Sequence, residues 1–268
     1  GHAGRKASER RPWHGETPVD VAERGEAPWT AIAPSPIPYA DGWPAPSKMT
    51  ETDIERVIDS FGAAARRSKE AEFRIIEIYT AHGFLTHQFL SPIANKRTDR
   101  WGGSPENRHR FAVQVARSVR ANWPDAYPLA FRLSATDWVD GGIEVEDTVQ
   151  LACALKAEGV DMIDCSSGCI GGKDRPQRMK IEQGFQVPFA TEVRDKTDIA
   201  TMAVGFLWDP KICDALLSQG QADMVALARE VLDDPNWPLN AARQSTGDGD
   251  FGWWLMKRDR LVRKLGLR

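Results

Sequence analysis

The amino-acid sequence predicts an α/β protein built on a parallel sheet. Short apolar runs typical of buried strands alternate along the chain with longer amphipathic segments typical of helices. Repeated βα order of this kind places the strands parallel and joins them by right-handed crossovers. Two architectures share that order, an open doubly wound sheet and part of a (β/α)8 barrel. The pattern leaves both open, although no G-x-G-x-x-G follows the first strand, which weakens a dinucleotide-binding sheet.

Composition narrows the class of protein further. The 268 residues are 41% hydrophobic and 27% charged, which are ordinary globular values, and the net charge of −3 gives no bulk attraction to nucleic acid or anionic lipid. No run approaches the ~18 apolar residues of a membrane span. The four cysteines form no C-x2-C pair, so we expect reduced, buried thiols in a cytoplasmic protein rather than a metal site.

We treat the chain as one domain with three parts, the first of which is residues 1–48. Eight prolines between Pro12 and Pro46 argue against regular helix or central strand there. Three tryptophans, Trp13, Trp29 and Trp43, need burial, so a packed irregular excursion is expected.

Residues 49–245 form the βα part, which opens with a helix from Thr50 to Lys69. Thr50 suits its N-cap, and Asp53 suits the capping-box position. The following elements are predicted from apolar runs and amphipathic stripes: strands at 74–79, 128–134, 160–166, 200–205 and 222–227, and helices at 105–121, 146–158, 188–196, 209–219 and 236–244. The third part, 246–268, is a basic, aromatic tail.

The stretch from Arg74 to Phe111 carries the clearest functional signal. Its short apolar run is typical of a strand covered on both faces, and polar and aromatic side chains crowd the end of that strand: Tyr79, His82, Phe84 and His87. A long loop is predicted next, and Ser104-Pro105-Glu106 then begins a helix with a favourable N-cap. A strand that ends in a histidine before a long loop is a common way for an α/β enzyme to present a site.

This stretch also resembles a known family. The run AHGFLTHQFLSP, followed by N-R-T-D-R-W-GGS-ENR-RF, resembles the Old Yellow Enzyme family of FMN-dependent oxidoreductases, in particular its bacterial, xenobiotic-reductase-like branch. The resemblance extends from HAGRKAS at 2–8 to DPNWP at 234–238. It implies a partial (β/α)8 TIM barrel, roughly strands 4–8 with the loop after strand 3. The first barrel strands would then lie outside this sequence.

The resemblance assigns a substrate clamp to the end of the first strand. In the family, His-x-x-His or His-x-x-Asn holds the carbonyl or nitro oxygen of the acceptor. His82 matches the second position, whereas Tyr79 stands at the first and can still donate one hydrogen bond. Phe84 stands where the family often has a proton-donating tyrosine. That departure predicts weak alkene reduction, because phenylalanine has no proton to donate.

The resemblance also assigns the cofactor contacts. Arg132, in the strand LAFRLSA, would lie beside the pyrimidine edge of the flavin, with an internal salt bridge as the alternative. The FMN phosphate would lie near the ends of the last two strands, at Val204, Gly205, Ala228 and Arg229. His2 and Arg5 would lie at the barrel mouth. Trp254 and Arg258 are candidates to contact substrate by reaching into a neighbouring subunit's site. The alternative is that the tail is a C-terminal helix that packs on its own barrel.

The function implied is an FMN-dependent oxidoreductase that passes hydride from NADPH or NADH to an electron-poor acceptor such as an enone, quinone or nitro compound. The alternative is a non-catalytic barrel remnant, or one half of a split assembly. Expected partners are a small-molecule acceptor and either further copies of this chain or a chain that supplies the missing strands.

Overall fold

The fold is built on a five-stranded parallel sheet with helices packed on one face, as seen in a computed structural model that describes residues 1–7, 29–171 and 179–246. Its five strands pair in chain order and are β3 (Ile76–Thr80), β4 (Leu129–Ser134), β5 (Met162–Ser166), β6 (Ala200–Ala203) and β7 (Met224–Val225). All four pairings are parallel, which confirms the predicted α/β class.

Helices follow or precede each strand of this sheet. They are α1 (Glu51–Glu70), α2 (Leu85–Leu90), α3 (Pro105–Arg120), α4 (Val145–Ala157), α5 (Val187–Thr197), α6 (Pro210–Ser218), α7 (Arg229–Asp233) and α8 (Trp237–Thr246). The two N-caps predicted from sequence are present. Thr50 and Asp53 form a reciprocal capping box on α1, and the Ser104 hydroxyl accepts the Asn107 N–H at the start of α3.

The two faces of the sheet differ in character because side chains alternate along each strand. In β4, Leu129, Phe131 and Leu133 belong to the core between sheet and helices and are at most 1% exposed. The intervening residues of β4 face the other way, and one of them is Arg132. The register aligns Tyr79, Arg132 and Asp164 side by side on that second face. Strand register therefore determines which polar side chains lie next to one another on this face.

The structure corrects the prediction between residues 29 and 104. A short parallel pair, β1 (Ile32–Ala33) and β2 (Ser47–Lys48), lies in the segment expected to be irregular. Trp43 is buried as expected, but Trp29 is 70% exposed. The predicted long loop after β3 contains α2, whose six residues are all buried, so it shows no amphipathic stripe from which a helix could be inferred.

Other corrections concern the sheet edges and the cysteines. Ile75 lies outside β3 and is 49% exposed, because β3 is an edge strand of the described sheet rather than a strand covered on both sides. The last predicted strand, 222–227, shortens to two residues. Cys165 and Cys213 are buried as expected, whereas Cys153 and Cys169 are exposed. Within the described part of the chain, no helix is long and apolar enough to cross a membrane.

Candidate active site

The candidate site lies at the carboxyl ends of the strands, where the turn after β3 carries His82. This turn adopts a left-handed backbone, with φ of 55° at His82 and 75° at Gly83. A Cβ on Gly83 would approach the Cys169 carbonyl oxygen to 2.1 Å, so the chain needs glycine there for space as well as for φ. The next residue, Phe84, is the N-cap of α2.

Side chains from three parts of the molecule hold the backbone of this turn. The His82 N–H donates to the Ser134 hydroxyl on β4 at 2.9 Å, and Lys6 Nζ donates to the His82 carbonyl at 3.2 Å. The Gly83 N–H donates to His87 Nδ1, and Gln88 Nε2 donates to the Gly83 carbonyl at 2.7 Å. All four backbone polar groups of the two left-handed residues therefore have a side-chain partner, which offsets the strain of their φ values.

The His82 imidazole is held at both nitrogens. Nδ1 contacts the Tyr79 hydroxyl, and Nε2 lies 2.5 Å from Ser166 Oγ on β5. The two predicted clamp residues are thus brought together, but they contact each other rather than pointing side by side. Ser167 Oγ donates to Gln186 Oε1 at 2.6 Å, and Gln186 Nε2 donates to the Val204 carbonyl, which extends the polar contacts toward β6.

The surroundings keep His82 neutral. Burial, together with the positive charge of Arg132 and contributions from His87 and Lys6, lowers the pKa of this imidazole to about 3. Burial also raises the pKa of the Tyr79 phenol. Near neutral pH the pair is therefore an uncharged imidazole against an uncharged phenol, so one nitrogen of the His82 ring donates a hydrogen bond and the other accepts one.

Arg132 has an ionic partner on the neighbouring strand. Its Nε lies 3.3 Å from Asp164 Oδ2, so the internal salt bridge weighed from the sequence is present. The Arg132 side chain is still 24% exposed, and its Cζ lies 5.8 Å from the centre of the Tyr79 ring. Burial, together with the nearby Glu77 carboxylate, raises the pKa of Asp164 to about 7 although Arg132 opposes the rise, and Asp164 shares a hydrogen bond with Glu77.

A single pocket gathers most of the predicted cofactor residues. Its wall includes His82 and Arg132, and it also includes the residues predicted to hold the phosphate: Val204, Gly205, Ala228 and Arg229. Gly205 has φ of 123°, and a Cβ there would come within 3.0 Å of the Gln186 amide nitrogen. The Arg229 guanidinium is exposed and stacks on the Phe206 ring, 4.6 Å from its centre. An exposed guanidinium and the backbone of a glycine in the same pocket suit a phosphate-bearing ligand.

The remaining predicted residues differ in position. Phe84 packs edge-on against the Tyr79 ring, with centroids 5.1 Å apart, which places it next to the clamp. Arg5 is buried and donates to the Pro38 and Ile170 carbonyls. It therefore connects two backbone segments and is not a solvent-facing group at the mouth. Burial lowers the pKa of His2, and its Nδ1 accepts the Gly4 N–H. Trp254 and Arg258 lie outside the described residues.

Sequence reasoning missed the β5 side of the site. Ser166 and Asp164 alternate with apolar residues in β5, so both point to the same face as Arg132. An aspartate inside an otherwise apolar strand was a signal, since a buried carboxyl group requires a partner. Which partner it meets depends on strand register, and that could not be read from the local pattern.

A parallel βα sheet with a cation-lined pocket beyond its last strands is typical of (β/α)8 barrels that bind a phosphate-bearing cofactor. The family model described as the NADH:flavin oxidoreductase / NADH oxidase family matches residues 2–247, and the chain belongs to that family. The resemblance stated from the sequence is thereby confirmed. Members of this family use FMN with NADH or NADPH as the donor.

Three comparisons show how far the similarity extends. An NADPH dehydrogenase of a Geobacillus species is 44% identical over 224 residues, which are 84% of this chain and 64% of that protein. Histamine dehydrogenase from Rhizobium sp. 4-9 is 30% identical with a TM-score of 0.68 over 79% of this chain and 31% of its own. An Old Yellow Enzyme homologue from Zymomonas mobilis has the same fold, with 22% identity and a TM-score of 0.67 over 91% of this chain and 65% of its own. The chain thus spans 64% of the NADPH dehydrogenase it matches.

Proposed function

We propose that this protein acts in FMN-dependent transfer of hydride from NADPH or NADH to an electron-poor small molecule such as an enone, quinone or nitro compound. The observation that carries the proposal is one pocket lined both by Arg132 and His82 and by Gly205 and Arg229, two of the residues predicted to hold the phosphate. Family membership supplies the chemistry, since a bound flavin accepts and returns the hydride. The protein's own residues would bind, orient and polarise.

In this proposal each end of the pocket holds one part of FMN. Arg132 would place its positive charge beside the pyrimidine ring and stabilise the anionic reduced flavin. The exposed Arg229 guanidinium and the backbone at Val204, Gly205 and Ala228 would hold the phosphate. The ion pair with Asp164 would fix the Arg132 side chain, since it anchors Nε and leaves the rest of the guanidinium fork available.

The acceptor clamp would work in series rather than as two parallel donors. If His82 Nδ1–H donates to the Tyr79 oxygen, the ring accepts the Ser166 hydroxyl at Nε2, and the Tyr79 O–H is free to donate to the acceptor oxygen. Each bond in such a chain polarises the next, so His82 would strengthen Tyr79 as a donor. Charge that develops on the acceptor oxygen would then be stabilised by the phenol.

The test is the ratio of FMN affinity to riboflavin affinity, measured by fluorescence quenching on the full chain. If the chain has the proposed function, it binds FMN, NADPH bleaches the absorbance of the bound flavin, and a quinone restores that absorbance. Arg229→Gln should lower the affinity for FMN at least tenfold and leave that for riboflavin within twofold, because the two flavins differ only in the phosphate. Arg56→Gln, which removes a well-exposed guanidinium on α1, is the matched control.

A non-catalytic barrel remnant, or one half of a split assembly, remains the second candidate. Two observations favour it: the described sheet has two unpaired edges, and Phe84 stands where the resemblance expects a proton donor. Failure to bind FMN, both alone and after co-expression with a chain that supplies the other barrel strands, would support the remnant. Binding only in the presence of such a chain would support the split assembly. Self-association and a cytoplasmic location are further parts of the proposal.

A further inference from the structure

The clamp turn rests on a buried pair of ionisable side chains that the proposed function does not use. His87 on α2 and Asp137, in the loop after β4, are both fully buried, and His87 Nε2 lies 2.9 Å from Asp137 Oδ1. The other carboxylate oxygen of Asp137 accepts the Ser91 hydroxyl at 2.6 Å and the Ile143 N–H at 2.9 Å. The contacts of His87 and these two donors hold the pKa of Asp137 below its ordinary value against the effect of burial.

The contacts of His87 fix its tautomer. Its Nδ1 accepts the Gly83 N–H at 2.9 Å, so this nitrogen carries no proton. The single ring proton of this arrangement therefore sits on Nε2, the nitrogen that lies 2.9 Å from Asp137 Oδ1. The negatively charged Asp137 favours the ring proton on Nε2, which leaves Nδ1 as an acceptor. The Gly83 N–H needs that acceptor.

Gly83 is the residue next to His82, so the pair acts directly on the clamp turn. Two consecutive left-handed residues are held only as long as their backbone groups are bonded, since a positive φ costs energy in any residue with a side chain, even one that tolerates it as well as histidine. Loss of the Nδ1 acceptor would leave a buried N–H without a partner, which is unfavourable and favours a different turn. The His82 ring would then leave its position between Tyr79 and Ser166.

We propose that His87, with its tautomer set by Asp137, is a positioning residue that holds the His82 imidazole in line with Tyr79 for the acceptor. The proposal rests on the function proposed above for Tyr79 and His82. It assigns no contact with substrate or flavin to His87, which acts through the Gly83 N–H alone. The pair thereby links the loop between β4 and α4 to the clamp.

Three substitutions separate this role from simple core packing. His87→Leu removes the acceptor and leaves a side chain of similar bulk. Asp137→Asn turns an amide N–H toward His87 or breaks the Ser91 and Ile143 contacts, so the ring proton should move to Nδ1 and the acceptor should be lost. His87→Gln can accept from Gly83 through its carbonyl and donate to Asp137 through its amide, so it should restore the wild-type turn.

The readout is the 15N chemical shift of the His82 ring nitrogens against pH, in the full chain labelled at histidine, with the His82 signals assigned from His82→Asn. We expect the His82 pKa to rise by at least one unit in His87→Leu and Asp137→Asn and to stay at the wild-type value in His87→Gln. Leu155→Ala, which destabilises the core at a fully buried site on α4, should leave the His82 signals unchanged. If the leucine variant does not fold, Asp137→Asn and His87→Gln decide the question.

The proposal would be overturned if the His82 signals of Asp137→Asn matched those of wild type. It would also be overturned if Leu155→Ala shifted the His82 signals as much as Asp137→Asn does. In FMN-loaded protein the same variants should raise the KM for a quinone at least tenfold while flavin reduction by NADPH stays within twofold. A chain that takes up no FMN would overturn the proposed function, and the NMR comparison would still decide whether His87 positions His82.

Discussion

At the scale of single residues, burial rather than sequence neighbours decides the chemistry of the site. Asp164 shows this most clearly, because its pKa is raised to about 7 on the face of the sheet that carries Arg132. A carboxyl group whose pKa is higher in the folded protein than in the unfolded chain binds its proton more tightly when folded. Its contribution to stability is therefore complete below its ordinary value of 3.8 and is lost as the pH rises toward 7.

Asp164→Asn should remove this pH dependence. We expect the free energy of unfolding of the variant, taken relative to that of wild type, to be larger at pH 8 than at pH 5 by at least ~1.4 kcal/mol, the equivalent of one pKa unit. Urea unfolding at the two pH values measures it. Asp195→Asn, at an exposed position on α5, is the control and should differ from wild type by the same amount at both. If Asp195→Asn showed the same change with pH as Asp164→Asn, the raised pKa assigned to Asp164 would be contradicted.

Phe84 makes a chemical prediction at the same scale. Alkene reduction needs a proton on the carbon next to the one that receives hydride, whereas quinone and nitro oxygens exchange protons with water. Phe84→Tyr should therefore speed enone turnover by ~10²-fold if the new hydroxyl acts as a positioned acid. Stopped-flow measurement of each half-reaction in an FMN-competent assembly tests it. Equal acceleration of flavin reduction by NADPH would mean that the change acted through packing against Tyr79.

At the scale of elements, the turn after β3 is the one on which the site depends. Gly83→Ala should lower the free energy of unfolding by more than the strain of a left-handed φ alone, because the new Cβ would also meet the Cys169 carbonyl. Gly103→Ala is the matched control, with φ of 82° and open space around the new methyl group. We expect ~1–2 kcal/mol for Gly103→Ala and clearly more for Gly83→Ala in urea unfolding. Equal losses would show that the Cys169 backbone moves aside without cost.

The elements also show what could be predicted from the sequence. Strands β4 and β5 and helices α1 and α3 follow from apolar periodicity and N-cap residues, which are local signals. Helix α2 was missed because it is buried all round. The clamp residues came from a family motif, whereas Asp164 and Ser166 joined the site through register, a long-range property. His87 stood in the motif, yet its tautomer requires the position of Asp137, fifty residues along the chain.

At the scale of the whole molecule, apolar side chains are exposed near both edges of the described sheet. Phe73 and Ile75 precede β3 and are 60% and 49% exposed, and Met224 in β7 is 47% exposed. Unpaired parallel edges beside exposed apolar side chains favour association. The chain by itself is therefore expected to associate with increasing concentration in sedimentation velocity experiments.

Ile75→Lys should weaken that association, since a lysine beside an edge strand opposes pairing with another chain. Gln150→Lys adds the same charge on the exposed face of α4 and is the matched control. A single monomeric species of the unmodified chain over a hundredfold range of concentration would contradict this prediction. Equal effects of the two lysines would assign the change to net charge.

The left-handed backbone at His82 also restricts which amino acids that position can accept. Among residues with a side chain, asparagine, aspartate and histidine tolerate φ near 55° best. An ionised aspartate has no proton to donate to an acceptor oxygen, which leaves histidine and asparagine. The His-x-x-His and His-x-x-Asn alternatives of the family motif are therefore the two solutions of one backbone constraint. A library randomised at this codon and selected for reductase activity should return those two amino acids and few others.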